Sequence, residues 1–409
     1  MKILKVIFFF ILISSWTYGQ TTVAELLELN KQLNDTYPEN YQICLQRFNK
    51  LAVDSMDERT KSLFYQMLST YYCFIGDYEK SRSTWDDQFL KYIDKDSIEY
   101  DTSFYRMHAF VDAREYILER AAKEKVVMIN EAHNIPYHRA FIFQLLKDFR
   151  KLGFTHLAVE GLSDGSINAT RTVTDTTGFY IREPLFAEMI REALKQQFTL
   201  VYYEAENTNS NRMRDSLQAV NLTNVLKAHP QAKVLVYAGY DHIQEGSQTN
   251  WKKMAQFFKD LTKIDPLTVS QTRHIERYHK QFETVEYGTL SKFESIRQPV
   301  VAIQNGKAWH DKFVDISVFY PRYLQSGQRP EYLAIGGIRK ARTLDTQKSD
   351  EGLFVQAYYA NEKKGHRVPA DQLFINNEKP QLYLQPGKYV IEYKNADDVI
   401  LRTQSVEVN

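Results

Sequence analysis

The chain is 409 residues long, and its 52 Lys and Arg against 51 Asp and Glu leave a formal net charge of +1. A charge so near balance, with no basic run, excludes the clustered positive face that a nucleic-acid partner needs. The length exceeds that of a typical single domain and calls for two or three.

At the start, Lys2 and Lys5 precede an apolar run from Val6 to Ile13, and Ser14 to Gly19 supply small and polar residues. This is the layout of a secretory signal peptide over residues 1–19, with cleavage after Gly19. The run is too short for a bilayer core of ~30 Å, and no later segment is apolar enough to span one. The expected location is periplasmic or secreted.

Residues 20–105 read as helical. Leu63, Phe64, Met67, Leu68, Tyr71, Tyr72 and Ile75 make one apolar stripe at the helical period. Gly76-Asp77-Tyr78 ends it, and a second amphipathic stretch runs through Trp85, Phe89 and Tyr92. The helix–turn–helix looks like one tetratricopeptide unit with no second clear copy, so it is read as a cap on the next domain and a surface open to a protein partner. Cys44 and Cys73 both fall here. Export permits a disulfide between them, and two buried free thiols are the other reading.

From 106 to 345, strand-like runs alternate with helices. The runs are Val126–Ile129, His156–Val159, Leu200–Tyr203, Val234–Ala238, Leu267–Val269 and Val300–Ile303. The helical stretches are Pro136–Leu152, Leu185–Gln197 and Ser210–Ala228. Such alternation predicts an α/β fold, with a mostly parallel sheet flanked by helices. From 352 to 409, period-two runs at Gln381–Leu384, Lys388–Tyr393 and Val399–Val408 predict a small antiparallel β module, with a sandwich as one expected form.

Ligands of open parallel sheets bind beyond the carboxyl ends of the strands. Four consecutive runs end there in acidic or imidazole side chains: Glu131 and His133, then Glu160, then Glu204 and Glu206, then Asp241 and His242. Histidine moves protons near neutral pH, and a carboxylate beside it orients the ring or raises its basicity. The same types also ligate divalent transition metals, with His133, Glu160, Glu204 and His242 as the candidate set. Glu204 is favoured over Glu206. His138 is assigned to helix capping or packing, and Asp241 to a turn. Arg191 and Arg214 are each read either as pocket partners or as solvated side chains, and Trp309-His310-Asp311 as a loop. Neither a Gly-x-Ser-x-Gly elbow, a His-Glu-x-x-His helix nor a phosphate-binding loop is present.

The stretch VVMINEAHNIPYHRAF (Val126 to Phe141) resembles the first motif of the erythromycin esterase, ChaN and Tiki superfamily. The similarity continues through THLAVEG (Thr155 to Gly161), Phe179 to Glu206, and VLVYAGYDHIQEG (Val234 to Gly246), covering roughly residues 120 to 275. Asn130 stands where the family usually has glycine, and one residue, Ala132, separates Glu131 from His133. The resemblance implies the fold and a strand-end pocket. It also implies His133 as general base, Glu131 and Glu160 around it, and His242 as the late histidine of the pattern.

The expectation is therefore an exported hydrolase that opens an ester, lactone or amide by water attack. His133, Glu131, Glu160 and His242 form its centre, and Glu204 and Arg191 support them. A small molecule or peptide is the substrate. The cofactor is left open between none, zinc or manganese, and haem. The alternatives are a haem- or iron-binding protein and a non-catalytic scaffold.

Overall fold

The computed structural model describes residues 21–93, 98–206, 208–246, 251–323, 325–326, 329–376 and 379–409. The leader assigned to residues 1–19 lies outside them. No helix among the described residues is long and apolar enough to cross a membrane.

Four helices open the chain: Val23–Thr36, Tyr41–Phe48, Glu58–Phe74 and Tyr78–Asp87. Each starts on a side chain that accepts the free amides of the first turn: Thr22, Asn40, Asp57 and Asp77. The stripe seen in the sequence is the buried face, with Phe64, Met67, Leu68, Tyr71 and Ile75 in one core. Gly76 joins the last two helices at φ +81°, and a Cβ there would lie 2.9 Å from the Gln372 carbonyl oxygen. Left-handed geometry and close backbone approach both require glycine at this turn. Cys44 and Cys73 are free and buried.

The central sheet has nine strands: β1 (Ala109–Asp112), β2 (Val126–Glu131), β3 (Phe154–Val159), β4 (Thr199–Val201), β5 (Lys233–Gly239), β6 (Leu267–His274), β7 (Val300–Gln304), β8 (Lys307–Ala308) and β9 (Ile316–Phe319). Their order is β1-β7-β9-β6-β2-β5-β3-β4, with β8 attached to β7. From β9 to β4 the neighbours are parallel, while β7 runs antiparallel to both β1 and β9. The fold is thus α/β with a mostly parallel sheet. Helices Pro136–Lys151 and Pro184–Lys195 cover one face, and Asn211–Ala228 and Met254–Thr262 cover the other. The sequence reading missed β1, β8 and β9. β1 and β8 are short edge strands of four and two residues. β9 is four buried residues with no alternation to betray it.

The C-terminal part is a four-stranded antiparallel sheet in the order Asp371–Phe374, Phe354–Tyr359, Gly387–Lys394, Ile400–Val408. A second pair, Lys340–Thr343 with Gln381–Leu384, shares its core through Leu344, Val355, Leu382, Leu384 and Ile391. Lys340–Thr343 therefore packs with this module, although the sequence boundary put it in the α/β part.

The cap sits on the carboxyl edge of the parallel strands. Asp86 takes the Arg277 guanidinium (Nε to Oδ1 2.8 Å) and the His279 amide, and the Ser81 hydroxyl donates to the Asn134 carbonyl. The third part closes on both others. Arg329 pairs with Asp371, and Gln372 donates to the Phe74 carbonyl.

Candidate functional site

β2 ends on Glu131, directly opposite Gly239 at the end of β5. Parallel pairing thus brings two strand ends to one point beneath the cap. Glu131 is 2 % exposed, and its carboxylate is fully engaged. Arg139, one turn into the helix that follows, donates from Nε to Oε2 (2.7 Å) and from Nη2 to Oε1 (2.9 Å). The Tyr237 hydroxyl donates to Oε2 (2.9 Å). His133 Nδ1 lies 2.9 Å from Oε1. Burial opposes a charge on Glu131, but Arg139 and the His133 hydrogen bond outweigh it and hold the carboxyl at about 2. Arg139 is itself wholly buried and shared with Glu183, so the ion pair is anchored on both sides.

An ionised carboxylate only accepts hydrogen bonds. His133 Nδ1 therefore carries the proton, and in the neutral ring Nε2 keeps its lone pair. The ring lies against Tyr180 (centroids 3.9 Å apart, 16° between planes) and meets the edge of Tyr240 at 5.1 Å. Gln66 of the cap donates to the Tyr180 hydroxyl (3.2 Å), so the cap helps fix the imidazole.

Nε2 faces a cavity of about 70 Å³ that Glu131, His133, Glu160, Tyr180, Arg214 and Gly239 help to line. A Cβ on Gly239 would lie 2.9 Å from His133 Nε2 and 3.3 Å from Glu160 Oε2. Gly239 is thus the floor between base and carboxylate, and any side chain there would displace one of them. Glu160, just beyond β3, accepts the Gly239 amide at Oε2 (2.5 Å) and the Arg214 guanidinium at Oε1. Burial pushes Glu160 up, but His242 and Arg214 outweigh it and hold it at about 2.

Arg214, in the first turn of Asn211–Ala228, ties the remaining members together. It donates from Nε to Glu204 Oε1 (2.8 Å), from Nη2 to both Glu204 and Glu160, and from Nη1 towards His242 Nε2 (3.0 Å). His242 Nδ1 lies 2.5 Å from Asp215 Oδ1. Asp215 is buried and also accepts the Trp251 indole N–H (3.1 Å) and the Met254 amide (3.2 Å). Burial disfavours a charged His242, yet Glu160 and Asp215 outweigh it and raise its pKa. Arg214 can donate only to a lone pair on Nε2, so proton uptake by His242 and its bond to Arg214 exclude each other.

The structure brings Glu131 together with His133, and Glu160, Glu204 and His242 together around Arg214, and the two clusters meet at Gly239, whose amide donates to Glu160. Arg191 is elsewhere. It pairs with Glu188 and with Glu362 of the C-terminal module, a correction to its supporting role. Glu206 is exposed and accepts from Tyr202, and Asp241 is a turn residue paired with Lys253. His138 is wholly buried and accepts the Ala132 amide at Nδ1 (3.0 Å), a packing role as expected. Asp311 of the Trp309-His310-Asp311 stretch pairs with His274 at 2.9 Å.

Sequence reasoning missed Arg139, Tyr180, Tyr237, Gly239 and Asp215. All five had a legible signal: Arg139, Tyr180, Tyr237 and Gly239 lie within the motif stretches, and Asp215 adjoins Arg214 at a helix start facing the strand ends.

The residues predicted as metal ligands do not fit a metal centre. Arg214 stands among Glu160, Glu204 and His242 and takes the lone pairs that a cation would need. Among the described residues no group of three or more His, Cys, Asp or Glu is placed to hold a metal ion. Nor does haem fit at His133. The cavity is far below the ~300–1,000 Å³ that engulfs large ligands.

No family model matches the chain, and no curated protein does. Among solved structures it is similar to the type III effector HopBA1, at 15% identity over 41% of this chain and 89% of that one, with a TM-score of 0.30. A structure of bacterial protein toxins aligns at 12% identity over 61% of this chain and 57% of that one, TM-score 0.32. A third structure is described as revealing a thiol-protease like catalytic triad in the C-terminal region of Pasteurella multocida toxin. It aligns at 10% identity over 96% and 67% of the two chains, TM-score 0.31. Likenesses this distant carry no argument about activity.

Proposed function

We propose that the chain is an exported hydrolase of the erythromycin esterase, ChaN and Tiki type, which cleaves an ester, lactone or amide by direct water attack without a metal. The observation that carries this reading is the hydrogen bond from His133 Nδ1 to an ionised, fully engaged Glu131. It leaves the Nε2 lone pair at a small cavity beside Glu160.

In this reading a water donates one hydrogen bond to His133 Nε2 and one to Glu160 Oε2. Its oxygen attacks the carbonyl carbon as His133 takes the first proton, and Glu131 stabilises the imidazolium that forms. The same proton passes to the leaving oxygen or nitrogen when the tetrahedral adduct collapses. Arg214 supplies positive potential at the cavity wall for the developing oxyanion. Glu204 and His242 hold that guanidinium in place. A positioned base of this kind contributes ~10²–10⁴-fold. The cavity admits water and a reacting carbonyl but not a whole macrolide, so the rest of the substrate lies outside it.

The test is hydrolysis of small activated esters and anilides by the full chain, before and after exhaustive dialysis against a chelator. The expected result is a rate above background that survives chelation and is lost in His133→Gln. A rate that collapses on chelation and returns with zinc or manganese would overturn the metal-free mechanism.

A further inference from the structure

A second pocket lies on the far side of Tyr240 from His133. Its volume is about 180 Å³, and Trp85 and Phe89 of the cap line it together with Ile275, Tyr240, Asn134 and Arg82. Tyr240 links this pocket to His133: its ring stacks on Trp85 (5.4 Å, 10°) and touches the His133 ring edge-on. The Tyr240 backbone holds a left-handed φ of +42°, a conformation that a bulky residue adopts at a cost.

Asn134 is only 3 % exposed, and among the described residues neither its Nδ2 nor its Oδ1 has a hydrogen-bond partner. An unpartnered buried amide is costly, and both of its ends point to the same kind of complement. A donor and an acceptor side by side match the acceptor and donor of another amide. The charges at the rim are already matched. Asp86 holds Arg277, and Arg82 sits 3.5 Å from Glu276 and 4.1 Å over the Tyr323 ring. The pocket therefore selects an uncharged ligand. Its aromatic walls and volume suit one branched or aromatic side chain. A wider cleft of about 450 Å³ shares Arg82, Asn134 and Ile135 with it and leads in from between the cap and the C-terminal module.

We propose that this pocket binds a peptide-like amide, whose amide group pairs with the Asn134 side chain and whose apolar side chain lies between Trp85, Phe89 and Ile275. The site does not depend on the hydrolysis proposed above, because binding alone defines it.

The test is calorimetric titration of the full chain with N-acetyl-L-leucine N-methylamide, and with isoamyl alcohol as a probe carrying the apolar group alone. The diamide is expected to bind, to change the Trp85 emission, and to bind at least tenfold more weakly to Asn134→Leu. Isoamyl alcohol is expected to bind both proteins equally. Should Asn134→Leu fail to fold, Asn134→Asp keeps the shape and loses the donor, and the same weakening is expected. Equal diamide affinity in the variant, or no diamide binding to the parent up to roughly 20 mM, overturns the proposal.

Discussion

Asp215 Oδ1 lies 2.5 Å from His242 Nδ1, so the pocket holds two carboxylate–imidazole pairs rather than one. Glu131–His133 presents a nitrogen to the cavity. Asp215–His242 presents its nitrogen to Arg214. The first pair is arranged to move a proton and the second to hold a guanidinium, and the Arg214 pairs with Glu160 and Glu204 lie between them.

Asp215→Asn should separate these two roles. Losing the charge removes one of the groups that raise the His242 pKa, so His242 titrates at lower pH than in the parent. Asn keeps an Oδ1 acceptor for the Met254 amide and the His242 Nδ1–H but sets an NH2 against the Trp251 indole N–H, a lost hydrogen bond that should cost the fold ~1–3 kcal/mol. Histidine NMR titration together with urea unfolding checks both points. An unchanged His242 titration would show that Asp215 does not set its charge.

Gly239→Ala tests the floor of the cavity. The new methyl would lie 2.7 Å from His133 Cε1 and 2.9 Å from Nε2, and the ring cannot retreat because Tyr180 packs on it. Overpacking of this kind costs ~1–3 kcal/mol. Displacing the base should lower kcat/KM on the order of 10²-fold while urea unfolding stays cooperative. Activity at the parental level would place the reacting water elsewhere.

The pH dependence of stability follows from His138. Burial holds it at about 3, well below its ordinary value of 6.5. Between those values the unfolded chain takes the extra proton, so stability falls as pH drops below ~6.5. Glu131 and Glu160, held at about 2 against 4.5, keep their contribution above ~4.5 and lose it only as pH falls from there towards 2. His242, whose pKa is raised, acts in the opposite sense. Its contribution is present below ~6.5 and fades as pH rises through its folded value. His138→Gln keeps an acceptor for the Ala132 amide and removes the first effect alone. Unfolding at pH 7 and pH 5 should show the parent losing up to ~1.4 kcal/mol per pH unit more than the variant. Equal losses would contradict a neutral buried His138.

Much of this arrangement is legible in the sequence because parallel strands deliver their ends to one edge. Val126–Ile129 and Val234–Ala238 announce β2 and β5, and Glu131, His133 and His242 follow at once. What stayed hidden depends on three-dimensional register. Val201 ends β4 two residues before the predicted Tyr203, so Glu204 leaves the strand's alternation and turns to Arg214. Arg191 carries the same charge as Arg214 and also sits on a flanking helix. Only the packing of Pro184–Lys195 against the C-terminal module directs it to Glu362. Arg139 illustrates the other limit. A fully buried arginine becomes plausible only once Glu131 and Glu183 are seen on either side of it.

The central claim is that Glu131 fixes His133 as the Nδ1–H tautomer with Nε2 open to the cavity. Nitrogen-15 NMR of histidine-labelled protein at neutral pH reads this directly, with no substrate needed. The account predicts a protonated Nδ1 and an unprotonated Nε2 for His133 in the parent, with that preference weakened in Glu131→Gln. A His133 that carries its proton on Nε2 in the parent would leave the cavity without a base and contradict the account.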